Sequence, residues 1–200
     1  MPGRTEAENT SAMTKLSFAV ALLLISLPVS CAQDASVPEA AFLSIDRYTN
    51  AFLGFSLPLP PDPAFDIVEV SPSGMWHRLF GLEREKGHTL FVISAQQMMA
   101  RDAERLMKIA APTISLHGKE FSKGISRQKG PDGTIWKAMY LTVINNYLLQ
   151  FDIQSLDPKI AEDLEHRVEE TKFFEPAKAR MIAGPNGKPY NPAPARHSKN

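Results

Sequence analysis

Five histidines are the side chains of this sequence best suited to acid–base or metal chemistry: His77, His88, His117, His166 and His197. No two of them stand at the i, i+4 spacing that places zinc ligands on one face of a helix. His77 alternates with the apolar Met75 and Leu79, which predicts a partly buried histidine with its own hydrogen-bond partner rather than a ligand. We interpret the next three histidines as solvated. The pattern therefore indicates no histidine-based site.

Acidic residues form two further groups. Glu83, Glu85 and His88 lie around one predicted turn and could bind a cation weakly, but a hydrophilic turn explains the same pattern more simply. Five acids on the last predicted helix are interpreted as its solvated face: Glu162, Asp163, Glu165, Glu169 and Glu170. We predict no metal site from either group.

Candidate nucleophiles lack a recognisable base. The sequence contains no phosphate-binding loop, no Gly-x-Ser-x-Gly elbow and no dinucleotide fingerprint. Trp76 and Trp136 fall on predicted strands, where core packing is the simpler explanation for them. Four serines have no evident base: Ser56, Ser94, Ser122 and Ser126. We therefore predict no catalytic residue, no cofactor-binding residue and no cofactor.

An apolar run near the start of the chain indicates export. Lys15 precedes residues 16–29, which are almost entirely apolar and lead into Ser30-Cys31-Ala32. A positive residue, a short apolar core and a small-residue exit form an export signal. The run is shorter than the roughly 20 residues that span a bilayer. We predict that residues 1–32 are removed and that the mature protein works in the periplasm or outside the cell.

Two details of this signal leave alternatives open. Met13 offers a cleaner start than Met1, because the residues between them carry two acids. Cleavage before Gln33 is favoured, and the alternative is a lipoprotein anchored through Cys31. The lipoprotein pattern places a leucine three residues before the cysteine, and Pro28 holds that position here. Contact with a membrane is expected only if the cysteine is lipidated.

Composition limits the classes of partner. Twenty-two basic residues balance 22 acidic ones, so no general positive charge points to nucleic acid. The chain has one cysteine, Cys31, and cleavage before Gln33 would remove cysteine chemistry and disulfides from the mature chain. After Glu175 the sequence has basic residues and no acid, which we interpret as a solvated end.

Hydrophobic patterns predict seven strands, one helix in the middle and one at the end. On the third strand, Trp76, Phe80 and Leu82 are expected on one face, opposite His77 and Leu79. The middle helix covers residues 99–110. The predicted strands cover residues 48–59, 67–70, 75–83, 89–95, 134–144 and 147–155, with a weaker one around Phe121 and Ile125.

A two-residue turn at Asn145-Asn146 specifies the register of the last two strands. Asparagine tolerates the positive φ angles of a type I′ turn. Asp157-Pro158 then begins the last helix, whose inner stripe is expected to be Ile160, Leu164, Val168 and Thr171. The expected opposite pairs in the hairpin are Ile144 with Tyr147, Thr142 with Leu149, Tyr140 with Phe151, and Ala138 with Ile153.

Two stretches of the sequence carry a resemblance to a known fold. One is the opening Tyr48-Thr49-Asn50-Ala51-Phe52-Leu53-Gly54-Phe55-Ser56-Leu57-Pro58, and the other is the closing hairpin and helix, residues 147–174. They resemble the PsbP-like fold family, an α/β/α sandwich named for an extrinsic photosystem protein and shared by a nuclear import factor. Similar openings occur in small uncharacterised exported bacterial proteins. The resemblance implies a domain that binds partners and does no chemistry.

These observations together predict an α+β domain with an antiparallel sheet and packed helices. Residues 33–47 are expected to form a linker, residues 48–174 the globular domain, and residues 175–200 a flexible basic tail. The predicted function is non-enzymatic binding of an envelope protein or another extracytoplasmic partner. The alternative is a periplasmic enzyme of the hydrolase class, with a site assembled from distant residues.

Overall fold

Antiparallel strands with packed helices make up the fold, so the predicted α+β class is confirmed. The computed structural model describes residues 37–69, 74–110 and 114–190. The helices are α1 (Ala100–Ala110), α2 (Pro158–Glu169) and α3 (Ala179–Ala183), with a 3₁₀ helix over Pro176–Lys178. The strands in these residues are β1 (Ala41–Leu43), β2 (Arg47–Asn50), β3 (Phe55–Pro58), β4 (Phe65–Ile67), β5 (Trp76–Arg84), β6 (Thr89–Gln97), β7 (Ile114–Leu116), β8 (Lys119–Gly130), β9 (Gly133–Ile144), β10 (Tyr147–Ser155), β11 (Lys172–Phe173) and β12 (Lys188–Tyr190).

The described strands form two sheets. Seven lie in the order β4-β5-β6-β10-β9-β8-β7, and five lie in the order β11-β3-β2-β1-β12. The single strand predicted over residues 48–59 is divided, because Asn50 and Gly54 turn the chain. The Asn50 side chain accepts a hydrogen bond from the Leu53 amide at 2.6 Å, and Gly54 has a φ of 69°. β2 and β3 therefore pair with each other.

The core lies between the seven-stranded sheet, the five-stranded sheet and α2. Tyr48 of β2 stacks on Phe80 of β5 with ring centroids 4.7 Å apart, and Phe55 of β3 meets Phe151 of β10 edge-on at 5.7 Å. All four rings are buried. The side of the seven-stranded sheet that faces this core is called its inner face, and the opposite side its outer face.

The β9–β10 hairpin has the predicted turn and register. Asn145 and Asn146 have φ angles of 50° and 64°, as a type I′ turn requires. Tyr140 lies opposite Phe151, and the other three expected pairs are present as well. The side chains of these pairs lie on the inner face, where Tyr140 and Phe151 are fully buried. The predicted register is confirmed.

Helix α2 begins and packs as its sequence predicts. The Asp157 side chain accepts hydrogen bonds from the amides of Lys159 and Ile160, and Pro158 occupies the first turn. Leu164 and Val168 of the expected stripe are buried in the core.

A bulge in β5 changes the predicted faces of that strand. Arg78 pairs with Ser94 and Phe80 pairs with Ile93, so Leu79 is an extra residue between the two pairs. His77, rather than Trp76, therefore shares the inner face with Phe80. The predicted assignment of Trp76 to the face of Phe80 is wrong, because strict alternation was assumed across the bulge.

The predicted linker and flexible tail both contain ordered structure. Within the predicted linker, β1 joins the five-stranded sheet, and within the predicted tail, β12 pairs with β1. Ala179 and Ala183 of α3 pack against Ala40 and Phe42. The linker and tail predictions are wrong for these parts. The elements are only three to five residues long, too short for a hydrophobic period to appear in the sequence.

The helix predicted over residues 99–110 forms as α1, and its apolar stripe is only partly buried. Ala103 is buried, whereas the Met99 side chain before the helix is 66% exposed. Leu106, Met107 and Ala110 are half-buried. The Ser122 hydroxyl donates to the Ala110 carbonyl at 2.8 Å and so ties the end of α1 to β8.

The predicted export signal and its cleavage site lie outside the described residues. Among the residues that are described, no helix combines the length and apolar character needed to cross a membrane.

Candidate functional site

His77 has a carboxylate partner that the sequence analysis did not anticipate. Its Nδ1 lies 2.6 Å from Oε1 of Glu39, and both side chains are half-buried. The ring of Tyr147 lies 6.2 Å from the His77 ring, centroid to centroid. Glu39 was missed because residues 33–47 were interpreted as a linker. The pair joins the segment before β1 to the start of β5. Neither residue lines one of the three cavities described below.

The four candidate serines are not brought to a base. Ser56 shares a hydrogen bond with Thr49 at 3.2 Å, and Ser122 donates to the Ala110 carbonyl. Ser94 is fully buried, and its hydroxyl has no hydrogen-bond partner in the described structure. Ser126 is exposed on β8. None of these hydroxyls has a hydrogen bond to a histidine or a carboxylate within the described residues.

An open groove of about 530 Å³ lies at one end of the seven-stranded sheet. We call it the end groove. It crosses the sheet from the β5–β6 turn, over the end of β10, to the β8–β9 turn. Leu90, Ile135 and Leu156 give it an apolar floor. The remaining lining residues are Val68, Glu69, Glu83, Lys86, Gly87, His88, Pro131, Asp132, Gln154 and Ser155.

Hydrogen bonds hold the β5–β6 turn against the end of β10. The Leu156 amide donates to the His88 carbonyl at 2.9 Å, and the hydroxyls of Thr89 and Ser155 lie 2.8 Å apart. The Ser155 hydroxyl also accepts from the Asp157 amide at 3.0 Å, next to the start of α2. Because these bonds join the sheet to the helix cap, the floor of the end groove is attached to the core.

The rim of the end groove is predominantly acidic. Glu69, Glu83 and Asp132 line it, and none of the three is in an ion pair with another described residue. Burial raises the pKa of Tyr190, and the nearby charge of Glu69 raises it further. Lys86 also lines the groove and contributes one positive charge against these three carboxylates. The rim therefore presents a surplus of unpaired negative charge.

Two members of the candidate cation group at the β5–β6 turn, Glu83 and His88, line the end groove, whereas Glu85 does not. His88 Nδ1 lies 3.6 Å from the Glu85 carboxylate, which also forms an ion pair with Arg84 at 3.3 Å. Within the described parts of the chain, no three histidine, cysteine or acidic side chains are close enough together to hold a metal ion. The arrangement is that of a hydrophilic turn at the groove rim.

Two acids interpreted as solvated on α2 instead bind the sheet. Lys123 Nζ lies 2.8 Å from Glu165 and 2.9 Å from Glu169, and the Tyr140 hydroxyl donates to both carboxylates. Burial opposes the charge of Lys123, but its hydrogen bonds to these partners raise its pKa. Burial likewise opposes the charge of Glu169, yet the bonds from Lys123 and Tyr140 hold its pKa below the usual value. This network attaches α2 to β8 and β9.

His117 and His166 lie on different segments of the described structure. His117 lines a second cavity of about 340 Å³ together with Arg47 and Lys172. A third cavity, of about 190 Å³, lies between α2 and the residues around Phe65. His166 is exposed on α2, and His197 lies outside the described residues.

Comparison with other proteins concerns the fold. No family model matches the chain, and no curated protein matches it. A crystal structure of a Bacteroides thetaiotaomicron protein has a TM-score of 0.47 and 12% identity, with 66% of this chain and 49% of that protein covered. The chain thus spans about half the length of that protein.

The solution structure of PsbP from the cyanobacterium Synechocystis has a TM-score of 0.39 and 7% identity. That match covers 74% of this chain and 99% of the cyanobacterial one. Cyanobacterial PsbP is therefore among the structural neighbours, as the sequence resemblance predicted. The likeness is one of fold, and a shared fold does not establish a shared function.

Proposed function

We propose that the mature chain is an exported, non-enzymatic domain that binds a protein of the cell envelope through the end groove. The observation that carries this proposal is the combination of an open apolar floor with unpaired carboxylates on the rim. Small-molecule sites typically enclose about 70–90% of their ligand's surface. An open groove across strand ends suits a segment of a larger partner better.

The chemistry of the groove selects the kind of segment. Leu90, Ile135 and Leu156 favour apolar side chains on the partner. Glu69, Glu83 and Asp132 favour basic ones, because complementary charges guide association and exclude acidic competitors. The partner segment is therefore extended, with lysine or arginine placed between apolar residues.

Export rests on the sequence signal. Lys15, the apolar residues 16–29 and the small-residue exit support cleavage before Gln33. Mass spectrometry of the mature N-terminus tests this step. A chain that begins at Gln33 is expected, and a diacylglyceryl group on Cys31 would establish the lipoprotein alternative.

Charge reversal on the groove rim tests the binding proposal. Immobilised wild-type mature chain is compared with Glu83→Lys and with Glu104→Lys, a matched reversal of an exposed glutamate on α1. We expect an envelope protein to be retained by the wild type and by Glu104→Lys but lost with Glu83→Lys. Equal retention by all three folded proteins would contradict the proposal.

One observation favours the hydrolase alternative: His77 is joined to a carboxylate, as a general base often is. Purified mature protein is therefore to be tested against ester, peptide, glycoside and phosphate substrates. No turnover is expected. Activity that disappears in His77→Ala while the fold persists would replace the binding function with an enzymatic one.

A further inference from the structure

Strand β8 has a long edge without a neighbouring strand in the described structure. On one side it pairs with β9 continuously from Ser122 to Gly130. On the other side, β7 pairs with residues Lys119, Glu120 and Phe121 alone. The backbone groups that point away from β9 over residues 122–130 therefore have no partner strand among the described residues. Such groups can template an added strand.

This part of β8 also extends beyond the core. Residues 124–129 are exposed, and Ile125 has 60% of its surface accessible. The strand is nevertheless paired regularly with β9, because its register has no bulge, and the Arg127 guanidinium lies over the Trp136 ring, 3.8 Å from its centroid. A preformed edge lowers the entropy cost of adding a strand.

The side chains on this edge have a marked charge pattern. Lys123, Ile125, Arg127 and Lys129 alternate along the inner face, and no acid occurs in residues 121–131. Lys123 is engaged by α2, whereas Arg127 and Lys129 have no ion pair with a described residue. The outer-face positions are occupied by glycine, serine and glutamine. The free positive charge thus lies beside an exposed isoleucine on a single face.

We propose that residues 122–130 bind an extended acidic segment of a partner protein by strand addition. Acidic residues of the added strand face Arg127 and Lys129, and an apolar residue faces Ile125. Opposite charges on neighbouring strands attract, and like charges repel. This surface shares no residue with the lining of the end groove, although the two meet at the β8–β9 turn, and the proposal does not depend on the groove having an occupant.

Positive charges on an edge strand also prevent identical chains from pairing. Within residues 122–130 there is no proline and no bulge, the other common protections. Charge alone repels a second copy but leaves the edge open to an acidic strand. The sign of the charge therefore determines which strand is accepted.

The probe is a capped nine-residue peptide in which glutamate alternates with threonine, with a valine in place of the central glutamate. Binding to the full mature chain is followed by fluorescence anisotropy and by backbone hydrogen exchange. We expect saturable binding together with slower exchange in residues 122–130. A control peptide with lysine in place of glutamate should not bind.

Two variants and two modified peptides separate strand addition from simple charge attraction. Lys129→Glu should weaken binding about tenfold, because an attractive cross-strand pair becomes repulsive. Arg101→Glu, on the exposed surface of α1, should leave binding unchanged. Two further peptides are N-methylated at alternate residues, one at the odd and one at the even positions. The peptide whose methyl groups lie on the edge that pairs with β8 should lose binding, and the other should keep it.

Four results would overturn the proposal. The first is equal binding by the two N-methylated peptides, which shows charge attraction alone. The second is binding without added protection in residues 122–130, and the third is no binding of the acidic peptide. The fourth is protection of this segment that rises with protein concentration in the absence of peptide, which identifies a second copy as the occupant.

Discussion

The ring of Tyr190 lies edge-on to the ring of Tyr48, with the two centroids 6.0 Å apart. Tyr48 is fully buried and stacks on Phe80 at the centre of the core. Tyr190 also meets Phe80 edge-on at 5.8 Å. The last described strand therefore contributes to the core.

Removal of the segment after Glu175 is expected to destabilise the domain. The truncation takes away β12, which covers the edge of β1, and α3, which packs on Phe42. The free energy of unfolding should fall by about 3–5 kcal/mol, similar to the loss of a large buried side chain. Thermal and denaturant unfolding measure it.

Two point variants within residues 176–190 test the same prediction without truncation, one at a packed and one at an exposed residue. Tyr190→Ala should destabilise the full-length chain, whereas Met181→Ala should change stability by less than about 0.5 kcal/mol because Met181 is 71% exposed. An unchanged melting temperature in the truncated protein would show that the segment is dispensable.

The register of the β9–β10 hairpin predicts that alanine substitutions at two neighbouring residues lower the free energy of unfolding by very different amounts. Phe151 is fully buried between Phe55 and Phe121, whereas Gln150 lies half-buried on the outer face. Phe151→Ala should lower the free energy of unfolding by about 3–5 kcal/mol, and Gln150→Ala by about 0.5 kcal/mol or less. Denaturant unfolding of the two variants measures the difference, and equal losses would contradict the register.

These successes and failures of sequence-based prediction have physical causes. The Asn145-Asn146 turn and the Asp157-Pro158 cap are local signals, so the hairpin and α2 were predicted correctly. β12 is three residues long with a proline at its centre. It is held by pairing with β1 and by packing of Tyr190 on Tyr48 and Phe80, all far away in sequence, so no local pattern could reveal it. The β5 bulge likewise depends on its partner strand.

Replacement of Gly54 by any other residue should destabilise the fold. Its φ is +69°, and a Cβ there would overlap the carbonyl oxygen of Phe174. Gly118 has a φ of +81° but open space around it, which makes Gly118→Ala a matched control for the backbone strain. Gly54→Ala should cost about 1–3 kcal/mol more than Gly118→Ala. Equal melting temperatures of the two variants would show that Phe174 moves aside freely.

Replacement of Asp152 by asparagine should stabilise the protein in a pH-dependent way. Burial raises its pKa, despite the hydrogen bond from Gln150 and the charges of Arg78 and Lys137. A carboxyl group whose pKa is raised by folding favours the folded state while protonated and opposes it once ionised. Asp152→Asn should therefore be more stable than the wild type at neutral pH.

This advantage should shrink as the pH falls toward 3.8, the usual pKa of an aspartate side chain, because the wild-type carboxyl then becomes protonated as well. Denaturant unfolding from pH 7 to pH 3.5 follows it. A variant that is less stable at pH 7 would indicate that the attraction between Asp152 and Arg78 outweighs the cost of burial.

The end groove could be recognised only in part from the sequence. Glu83 and His88 were identified as a polar group at one turn. Ile135, Asp132 and Leu156 come from other segments, and their meeting depends on β10 lying between β6 and β9. The pairing of His77 with Glu39 was missed for the same reason, since the two residues are 38 positions apart.

Photocrosslinking inside cells tests the central claim most directly. A photoreactive amino acid replaces Leu90 in the floor of the end groove. The control position is Ile45, which lies between β1 and β2 and is 94% exposed. The proposed function predicts one discrete protein adduct from position 90 and none from position 45. The same adducts from both positions, or none from position 90 in a folded and exported chain, would contradict a partner-binding groove.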